Sequence, residues 1–415
     1  MSNIKFPFTA HAIKVDQRLG TFYVTALPSD LLLQVSASDS TRAILNSDSV
    51  GYHLEGTQRL IQDKRLNEIA DYIDRSDSAF PNSIILAANY DYATGLDQDE
   101  IEEMESESKG GQGVGQSEQW YVSEDASGCH TLVIPSASRL AAVIDGQHRL
   151  FSFAKASQAA RDTTTLVCSI YLDLPKALQA QIFAVINSTQ KRVDRSLTYE
   201  LFGYNVSDEA PELWTPDKLA VFLTRKIGTD KESPLSGRIL VAPKRDPGLL
   251  QIAAKAQWRV STSVIVDGVM RLFSTNPKRD ANTMRKSEPR PRTVLLDGPR
   301  DLSPLRSVFI KGNDALIYKL VLNYLVACEN VFWKSASVDS FIFRTIGIQA
   351  VLDILRKISE RSIEDRDISA EYFENLLRPA GGIDFAAEKF RNPSGSGRSI
   401  IRKELEAAIG LVERT

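Results

Sequence analysis

A short apolar segment that leads straight into a polar turn constrains the fold of this 415-residue chain most strongly. The apolar run Leu140–Ile144 is bounded by polar residues, as is typical of a short buried strand. The string Asp-Gly-Gln-His-Arg follows at 145–149, and apolar residues with helical spacing continue from Leu150. The sequence therefore predicts a strand, a sharp turn at Gly146 and a helix.

The residue types in this turn suit an anion site. Free N–H groups and the positive end of the dipole favour anions at a helix start, and Gly146 lets the backbone come close to a ligand. We expect Arg149 to clamp a phosphate, and His148 to hydrogen-bond it or to act as general acid or base. Asp145 would orient His148 or hold a cation or a ribose. Asp145, His148 and Arg149 are therefore the catalytic candidates. Taken singly, each residue has a structural alternative: a helix cap, a satisfied helix residue or a solvated side chain.

The string resembles the signature of the DGQHR-domain proteins, which include the DndB proteins of DNA phosphorothioation and the DpdB-like proteins of deazaguanine DNA modification. More distantly it is similar to the ParB/sulfiredoxin-like fold, in which the matching turn touches nucleotide phosphates. Further matching strings lie at 58–84 and 183–193, so the resemblance covers roughly residues 18–205. Ile186 stands where the ParB-like element has a glutamate, and no metal ligand is therefore carried over. The nucleotide-binding residues that the resemblance implies are Arg59, Arg65, Gly146, Gln147, Arg149, Asn187, Gln190 and Lys191.

Composition is that of an ordinary globular protein, with 43% hydrophobic and 25% charged residues. The longest apolar stretches, such as Val167–Leu174 and the region around Leu320–Val326, look too short to span a membrane. The N-terminus lacks signal-peptide anatomy, and the three cysteines are not closely spaced. Four histidines without ligand spacing predict no structural zinc site. We expect a cytoplasmic protein with no membrane partner.

Charge is distributed unevenly along the chain. Residues 1–200 carry 17 Lys and Arg against 26 Asp and Glu, whereas residues 201–415 carry 33 against 27. The second half is therefore the better candidate for contact with a nucleic-acid backbone. A basic loop at 276–293 contains three prolines, which we expect to exclude a regular helix. A mobile solvated loop is the alternative. Its candidate DNA-binding residues are Lys278, Arg279, Arg285, Lys286, Arg290 and Arg292.

Alternation of strand and helix signals predicts an α+β fold, with a ParB/sulfiredoxin-like α/β domain at 1–205 and a mainly helical domain at 206–415. Seven acidic residues at 97–107 and a glycine-rich string after them mark a flexible insertion at 91–118, either a solvated loop or a mimic of nucleic acid. The predicted strands include 83–88, 129–135, 140–144 and 165–172, and the predicted helices include 62–75, 147–159, 314–333 and 337–361.

The sequence has no Walker string and no common hydrolase or zinc-protease motif. By resemblance, the leading hypothesis is a nucleic-acid-associated protein of a bacterial DNA-modification or defence system. It would bind a nucleoside triphosphate with Mg²⁺ and hydrolyse it slowly. The alternatives are a non-enzymatic DNA-binding regulator and an interaction subunit whose DGQHR motif is purely structural. DNA, other subunits of the system and a second copy of the chain are the expected partners.

Overall fold

The computed structural model divides the chain into two compact units, Met1–Lys191 and Arg192–Thr415. It describes residues 4–38, 42–45, 52–55, 61–89, 118–189, 195–202, 209–240, 247–254, 256–337, 339–391 and 396–411. The mixed α/β class, with a sheet in the first part and many helices in the second, is confirmed. The domain boundary at residue 205 stays a prediction, because a division by contacts does not test which segment folds independently.

The strands of the first unit are β1 (Phe8–Gln17), β2 (Gly20–Pro28), β3 (Ser36–Ala37), β4 (Arg42–Leu45), β5 (Tyr52–Glu55), β6 (Ile84–Ala88), β7 (Tyr121–Glu124), β8 (His130–Ile134), β9 (Ala141–Asp145) and β10 (Thr165–Leu172). Eight of them form a sheet at the centre of the unit, in the order β3-β9-β6-β10-β2-β1-β8-β7. The pairs β10–β6 and β3–β9 are parallel, and the other neighbours are antiparallel. A separate antiparallel pair joins β4 to β5.

Strand β9 reads as a continuous apolar run because both of its faces are buried. Ala141 and Val143 pack into the larger core of this unit. Ile144 points to the opposite face and packs with Ile182 of the helix Lys176–Thr189 in a second, smaller core. The strand that carries the polar turn is therefore fixed from both sides.

The helices of the first unit cover this sheet, and one prediction about them is wrong. The sequence predicts a continuous helix over 147–159, but the chain is extended at Ala156, and Ser157 caps a new helix by accepting from the backbone N–H of Ala160. Capping serine competes with helix continuation in this way. The helices are Ser29–Val35, Asp63–Ile73, Gln147–Ser152, Gln158–Thr163 and Lys176–Thr189, with a 3₁₀ turn at Phe153–Lys155.

The second unit is mainly helical, as predicted, around one large apolar core. Two two-residue strands, β11 (Ile239–Leu240) and β12 (Val260–Ser261), pair in parallel. The α-helices are Arg195–Phe202, Pro216–Thr229, Pro247–Ala254, Thr262–Met270, Pro277–Arg285, Arg306–Ile310, Asp314–Cys328, Thr345–Glu364, Ala370–Leu377 and Ser396–Ala408. Cys328 leads directly into a π-helical turn, Glu329–Trp333. Short 3₁₀ turns lie at Pro211–Leu213, Arg292–Asp297, Phe341–Phe343, Arg378–Ala380 and Glu388–Phe390.

The basic loop contains a helix, which corrects the expectation that its prolines exclude one. Pro277 occupies the first turn of the helix Pro277–Arg285, where a missing N–H costs nothing, and the Asn276 side chain accepts from the N–H of Arg279. The predicted helix over 337–361 begins later, at Thr345, after a 3₁₀ turn.

Candidate functional site

The polar turn after β9 requires a glycine at position 146. A β-bulge separates the Ile85–Asp145 pair from the Leu86–Val143 pair, so the strand bends as it ends. Gly146 then adopts a φ of 95°, a left-handed conformation that favours glycine. A Cβ atom there would lie 2.7 Å from Cδ1 of Ile84. The turn is therefore tight for two separate reasons, backbone conformation and lack of space.

Arg149 braces this turn against the start of β6. Its Nη1 donates to the carbonyl oxygen of Asn82 at 2.6 Å, and its Nη2 donates to that of Ser83 at 3.1 Å. Nη2 also donates to Oδ2 of Asp145 at 3.0 Å, in an ion pair whose side chains are 23% and 30% exposed. Three hydrogen bonds thus hold the guanidinium within the protein. The sequence predicts an arginine that is free to clamp a phosphate, and it does not predict these three partners.

A cavity of about 130 Å³ opens beside the turn, and three segments of the first unit supply its walls. Gln147 is buried and accepts a hydrogen bond from the Ser38 hydroxyl at 2.6 Å. His148 is half-buried. The lining residues are Arg65, Ile69, Asp145, Gly146, Gln147, His148, Arg149, Phe183 and Asn187.

Arg65 and Asn187 bring polar groups to the cavity from two different helices. Arg65 is an exposed residue of the helix Asp63–Ile73, and within the described part of the chain it forms no ion pair or hydrogen bond. Asn187 is exposed in the helix Lys176–Thr189, and its Nδ2 donates to the carbonyl oxygen of Phe183 at 2.8 Å. Together with Gly146, Gln147 and Arg149, these residues make five of the eight predicted nucleotide-binding positions that the structure brings to one cavity.

The other predicted residues of this site lie outside the described residues. They are Arg59, Gln190 and Lys191. Residues 91–117 of the acidic insertion predicted at 91–118 lie outside as well. Sequence reasoning missed Ile69, Phe183 and Ser38. Ile69 and Phe183 follow the helical apolar pattern and gave a usable signal. Ser38 had none, because its contact with Gln147 spans 109 positions.

The described side chains around the cavity offer few ligands for a metal ion. Among the described residues, no group of three or more His, Cys, Asp or Glu side chains is placed to hold a metal ion. Among the described residues that line the cavity, Asp145 is the one carboxylate. Its Oδ2 is engaged by Arg149, so Oδ1 is the oxygen on the side away from that contact.

Three predicted DNA-binding residues in the second unit are held by internal contacts. Arg292 is 1% exposed and forms an ion pair with Asp314, while Nε donates to the carbonyl oxygen of Trp214 at 3.0 Å. Arg285 pairs with Glu209 at 2.7 Å. Arg290 donates to the carbonyl oxygen of Thr283. The buried guanidinium of Arg292 cannot reach a nucleic-acid backbone in this structure, which corrects its assignment.

The remaining three residues of the basic loop face solvent. Lys278 and Lys286 are exposed, and Arg279 is partly exposed. They lie in the first turn and at the end of the helix Pro277–Arg285. These three cations are the part of the predicted DNA-binding set that remains accessible.

These features define a class: mixed α/β proteins in which an Asp-Gly-Gln-His-Arg turn, braced by its own arginine, forms a wall of a small cavity. The model of the DndB family, described as DNA-sulfur modification-associated, matches residues 10–215. Residues 10–215 are thus similar to the DndB family, and the resemblance seen in the sequence is confirmed. The family implies a role in a bacterial DNA phosphorothioate modification system. No curated protein and no solved structure matches the chain, so likeness to the ParB/sulfiredoxin-like fold stays a prediction.

One helix among the described residues, Asp314–Trp333, is long and apolar enough to cross a membrane by length and composition alone. This finding corrects the expectation that the apolar region around Leu320–Val326 is too short to span a membrane. In the most apolar 18-residue stretch of this helix, 56% is buried inside the protein. Tyr324 lies within it, fully buried, and its hydroxyl donates to the carbonyl oxygen of Val351 at 2.7 Å. These contacts are those of a core helix in a globular protein.

Proposed function

We propose that the chain acts as a nucleic-acid-associated protein of a bacterial DNA-modification or defence system and binds the phosphate of a nucleotide in the cavity beside Gly146. The observation that carries this proposal is the position of Arg65. It lines the same cavity as the turn 145–149, it is exposed, and within the described residues it has no counter-charge. A phosphate oxygen would supply that counter-charge through charge-assisted hydrogen bonds.

The two arginines of the cavity then have different roles. Arg149 is a positioning residue, because its hydrogen bonds with Asn82, Ser83 and Asp145 fix the turn. Arg65 is the residue that would contact the ligand. The sequence predicts that Arg149, in the turn itself, clamps the phosphate. In this proposal Arg65 contacts the phosphate instead.

The size of the cavity limits the part of the ligand that it encloses. About 130 Å³ is well below the roughly 300–1,000 Å³ of pockets that enclose a whole small molecule. We therefore propose that a phosphate group enters and that the sugar and base remain outside. Asn187 would add a side-chain amide at the cavity wall.

The fuller form of the ligand is a nucleoside triphosphate with Mg²⁺. Mg²⁺ commonly binds through one or two protein carboxylates together with substrate phosphates, and Asp145 is the carboxylate on the cavity wall. For slow hydrolysis, His148 is the lining residue whose imidazole would act as general acid or base. Asp145, His148 and Arg149 keep their predicted places in this scheme, with Arg149 as a positioning residue.

Calorimetric titration of the full chain with ATP, with and without Mg²⁺, tests the proposal. Charge-assisted hydrogen bonds contribute about 1.5–3 kcal/mol, so Arg65→Gln should weaken binding roughly 10- to 150-fold. Lys64→Gln is the matched control, because it removes the same charge from the neighbouring exposed position outside the cavity lining. The proposal fails if the parent protein binds no nucleotide, or if both variants bind as the parent does.

A purely structural DGQHR motif is the second candidate, and the hydrogen bonds of Arg149 favour it. The arginine directs its donors to two carbonyl oxygens and one carboxylate, as a structural brace would. Absence of nucleotide binding in the parent, together with a loss of stability in Arg149→Ala, would select this candidate.

A non-enzymatic DNA-binding regulator is the third candidate, favoured by the accessible cations Lys278, Arg279 and Lys286. Nucleotide binding without phosphate release, measured for the parent and for His148→Gln, would select it over an NTPase. Neutralising the three cations together should reduce the slope of log affinity for DNA against log salt. The expected reduction is about 0.9 for each DNA phosphate that the protein no longer neutralises.

We further propose DNA and other subunits of the modification system as partners, in the cytoplasm. The DndB family makes DNA and such subunits plausible partners. Self-association of the chain is a separate expectation. Light scattering during size-exclusion chromatography, with and without duplex DNA, would show whether a second copy joins the complex.

A further inference from the structure

A cleft lined by three arginines lies in the second unit, where the helix Thr262–Met270 ends beside the helix Thr345–Glu364. Arg271 follows the first helix, Arg356 belongs to the second, and Arg398 comes from the helix Ser396–Ala408. Asp267, Asp353 and Gln349 line the same place. We call these six residues the arginine cleft. None of them belongs to the cavity of the first unit.

A glycine makes this convergence of charged side chains possible. Gly268 lies at the crossing of the first two helices, and a Cβ atom there would be 2.3 Å from Cδ1 of Leu352. The helices can therefore approach more closely than any other residue would allow. Arg271 and Arg356 are brought to one cleft by this close approach.

Both carboxylates of the cleft are already engaged by other groups. Arg398 Nε donates to Oδ2 of Asp353 at 2.7 Å, and its Nη2 donates to Oδ1. Asp267 accepts from the hydroxyl of Tyr199 at 2.6 Å and from Nη2 of Arg195 at 3.1 Å. Burial and then the hydrogen bond to Asp267 raise the pKa of Tyr199 to about 12, so the hydroxyl keeps its proton at neutral pH.

The other two arginines are left with little compensation. Arg271 lies 3.7 Å from the Asp353 oxygen that Arg398 already holds, and its side chain is 45% exposed. Arg356 is exposed and forms no ion pair within the described part of the chain. The cleft therefore carries an excess of positive charge. Among the described residues, neither Arg271 nor Arg356 forms a hydrogen bond with Asp267 or Asp353.

We propose that the arginine cleft is a phosphate-binding site, in which Arg271 and Arg356 contact the anion while Asp353 and Arg398 position them. Paired guanidinium groups match the oxygens of a phosphate. The enclosed volume is only about 10 Å³, room for about one water molecule, so the phosphate lies across the rim. A phosphodiester of a nucleic-acid backbone and a free phosphoanion share this chemistry. The inference does not depend on nucleotide binding in the first unit.

The test uses the full chain and the double variant Arg271→Gln/Arg356→Gln. Binding of a fluorescent DNA duplex of about 20 base pairs, roughly two helical turns, is measured by anisotropy at several salt concentrations, and binding of inorganic pyrophosphate by calorimetry. The control Arg361→Gln/Arg391→Gln removes the same charge from two exposed arginines outside the cleft. Arg271→Lys/Arg356→Lys retains the charge but loses the planar donor pair.

For a nucleic-acid backbone, we expect the glutamine variant to bind DNA at least about tenfold more weakly. The slope of log affinity against log salt should fall by about 1.8, or roughly 0.9 for each of two phosphates. The control should keep the parent slope, and the lysine variant should keep most of it. Loss of pyrophosphate binding with an unchanged DNA slope also supports the site and assigns it to a free phosphoanion.

The proposal is overturned if the parent binds neither ligand, or if the glutamine variant binds both as the control does. Because Arg65→Gln acts only on the cavity of the first unit, its result is independent. A failure of nucleotide binding there would leave this test unchanged.

Discussion

Arg149 in the first unit and Arg292 in the second have the same structural role in different surroundings. Each donates to backbone carbonyl oxygens and to one carboxylate, Asp145 for Arg149 and Asp314 for Arg292. Arg292 is 1% exposed and is wholly enclosed, whereas Arg149 keeps 23% of its side chain exposed and borders a cavity. Arginines in basic or motif-like strings can thus be internal braces, and solvent access decides whether a ligand can also use them.

Arg292→Ala should give the largest effect. It removes the charge partner of Asp314, and the carbonyl oxygens of Trp214 and Pro211 lose the charged donor that Arg292 supplies. Breaking a buried ion pair by removing one partner costs about 3–5 kcal/mol. Urea unfolding should show a loss of that size in the transition of the second unit.

Arg300→Ala is the control, since Arg300 is exposed and forms no hydrogen bond or ion pair within the described residues. A loss below about 1 kcal/mol for Arg292→Ala, the size expected of an exposed pair, would show that the pair contributes little. The contrast with Arg149 would then disappear.

Gly146→Ala should give the next largest loss of stability. A left-handed backbone strains an alanine, and its Cβ would meet Ile84 at 2.7 Å. Strain and overpacking each cost about 1–3 kcal/mol, so we expect a loss of about 2–4 kcal/mol in the first unit. Gly128→Ala isolates the strain, because Gly128 has a φ of 80° and its nearest neighbouring atom is 3.9 Å away. Equal melting temperatures for the two variants would contradict the crowding at Ile84.

Arg149→Ala sharpens the comparison directly. The sequence alone suggests that this change leaves the fold intact, because a helix-start arginine adds charge without core volume. The structure instead predicts a loss of about 1.5–3 kcal/mol, since the carbonyl oxygens of Asn82 and Ser83 lose a charged donor. Thermal denaturation of the variant measures it, with Arg65→Ala as the exposed reference on the same cavity. A variant as stable as the parent would show that Arg149 is free to act as the phosphate clamp.

The sequence predicted what depends on local pattern and missed what depends on distant partners. The run Leu140–Ile144 and the turn at Gly146 follow from apolar clustering and glycine chemistry, and the structure has both. The carbonyl partners of Arg149 are 66 and 67 positions away, and the carboxylate partner of Arg292, Asp314, is 22 positions away. No periodicity encodes such pairs, so arginines in a polar string could not be sorted into braces and ligand contacts.

The prolines of the basic loop led to a second wrong prediction. Three prolines at 276–292 indicated a break in helical structure, but Pro277 starts a helix. Position within the helix decides the effect of proline, since the first turn needs no N–H donors. The arginine cleft could not have been predicted at all, because Arg271, Arg356 and Arg398 come from three separate helical segments.

A substitution of Asp301 should have the smallest effect. Asp301 is an anion that accepts hydrogen bonds from neighbouring residues, whereas Arg149 and Arg292 are cations that donate them. The carboxylate accepts from Oγ1 and N of Thr275 at 2.6 and 2.9 Å and from N of Ser303 at 2.8 Å. Burial, the largest single influence, raises the pKa of Asp301, but the hydrogen bonds from Ser303 and Thr275 together outweigh it and lower the pKa to about 2. The ionised carboxylate therefore stabilises the fold fully above its ordinary pKa of 3.8, and this contribution is lost as the pH falls towards 2. Because Asp301 is only half-buried and water screens its charge, we expect Asp301→Asn to cost less than about 1 kcal/mol at about pH 6. The difference in melting temperature between parent and variant should shrink between about pH 4 and about pH 2. A difference that stays constant over that range would show that the carboxylate charge is not what braces Thr275 and Ser303.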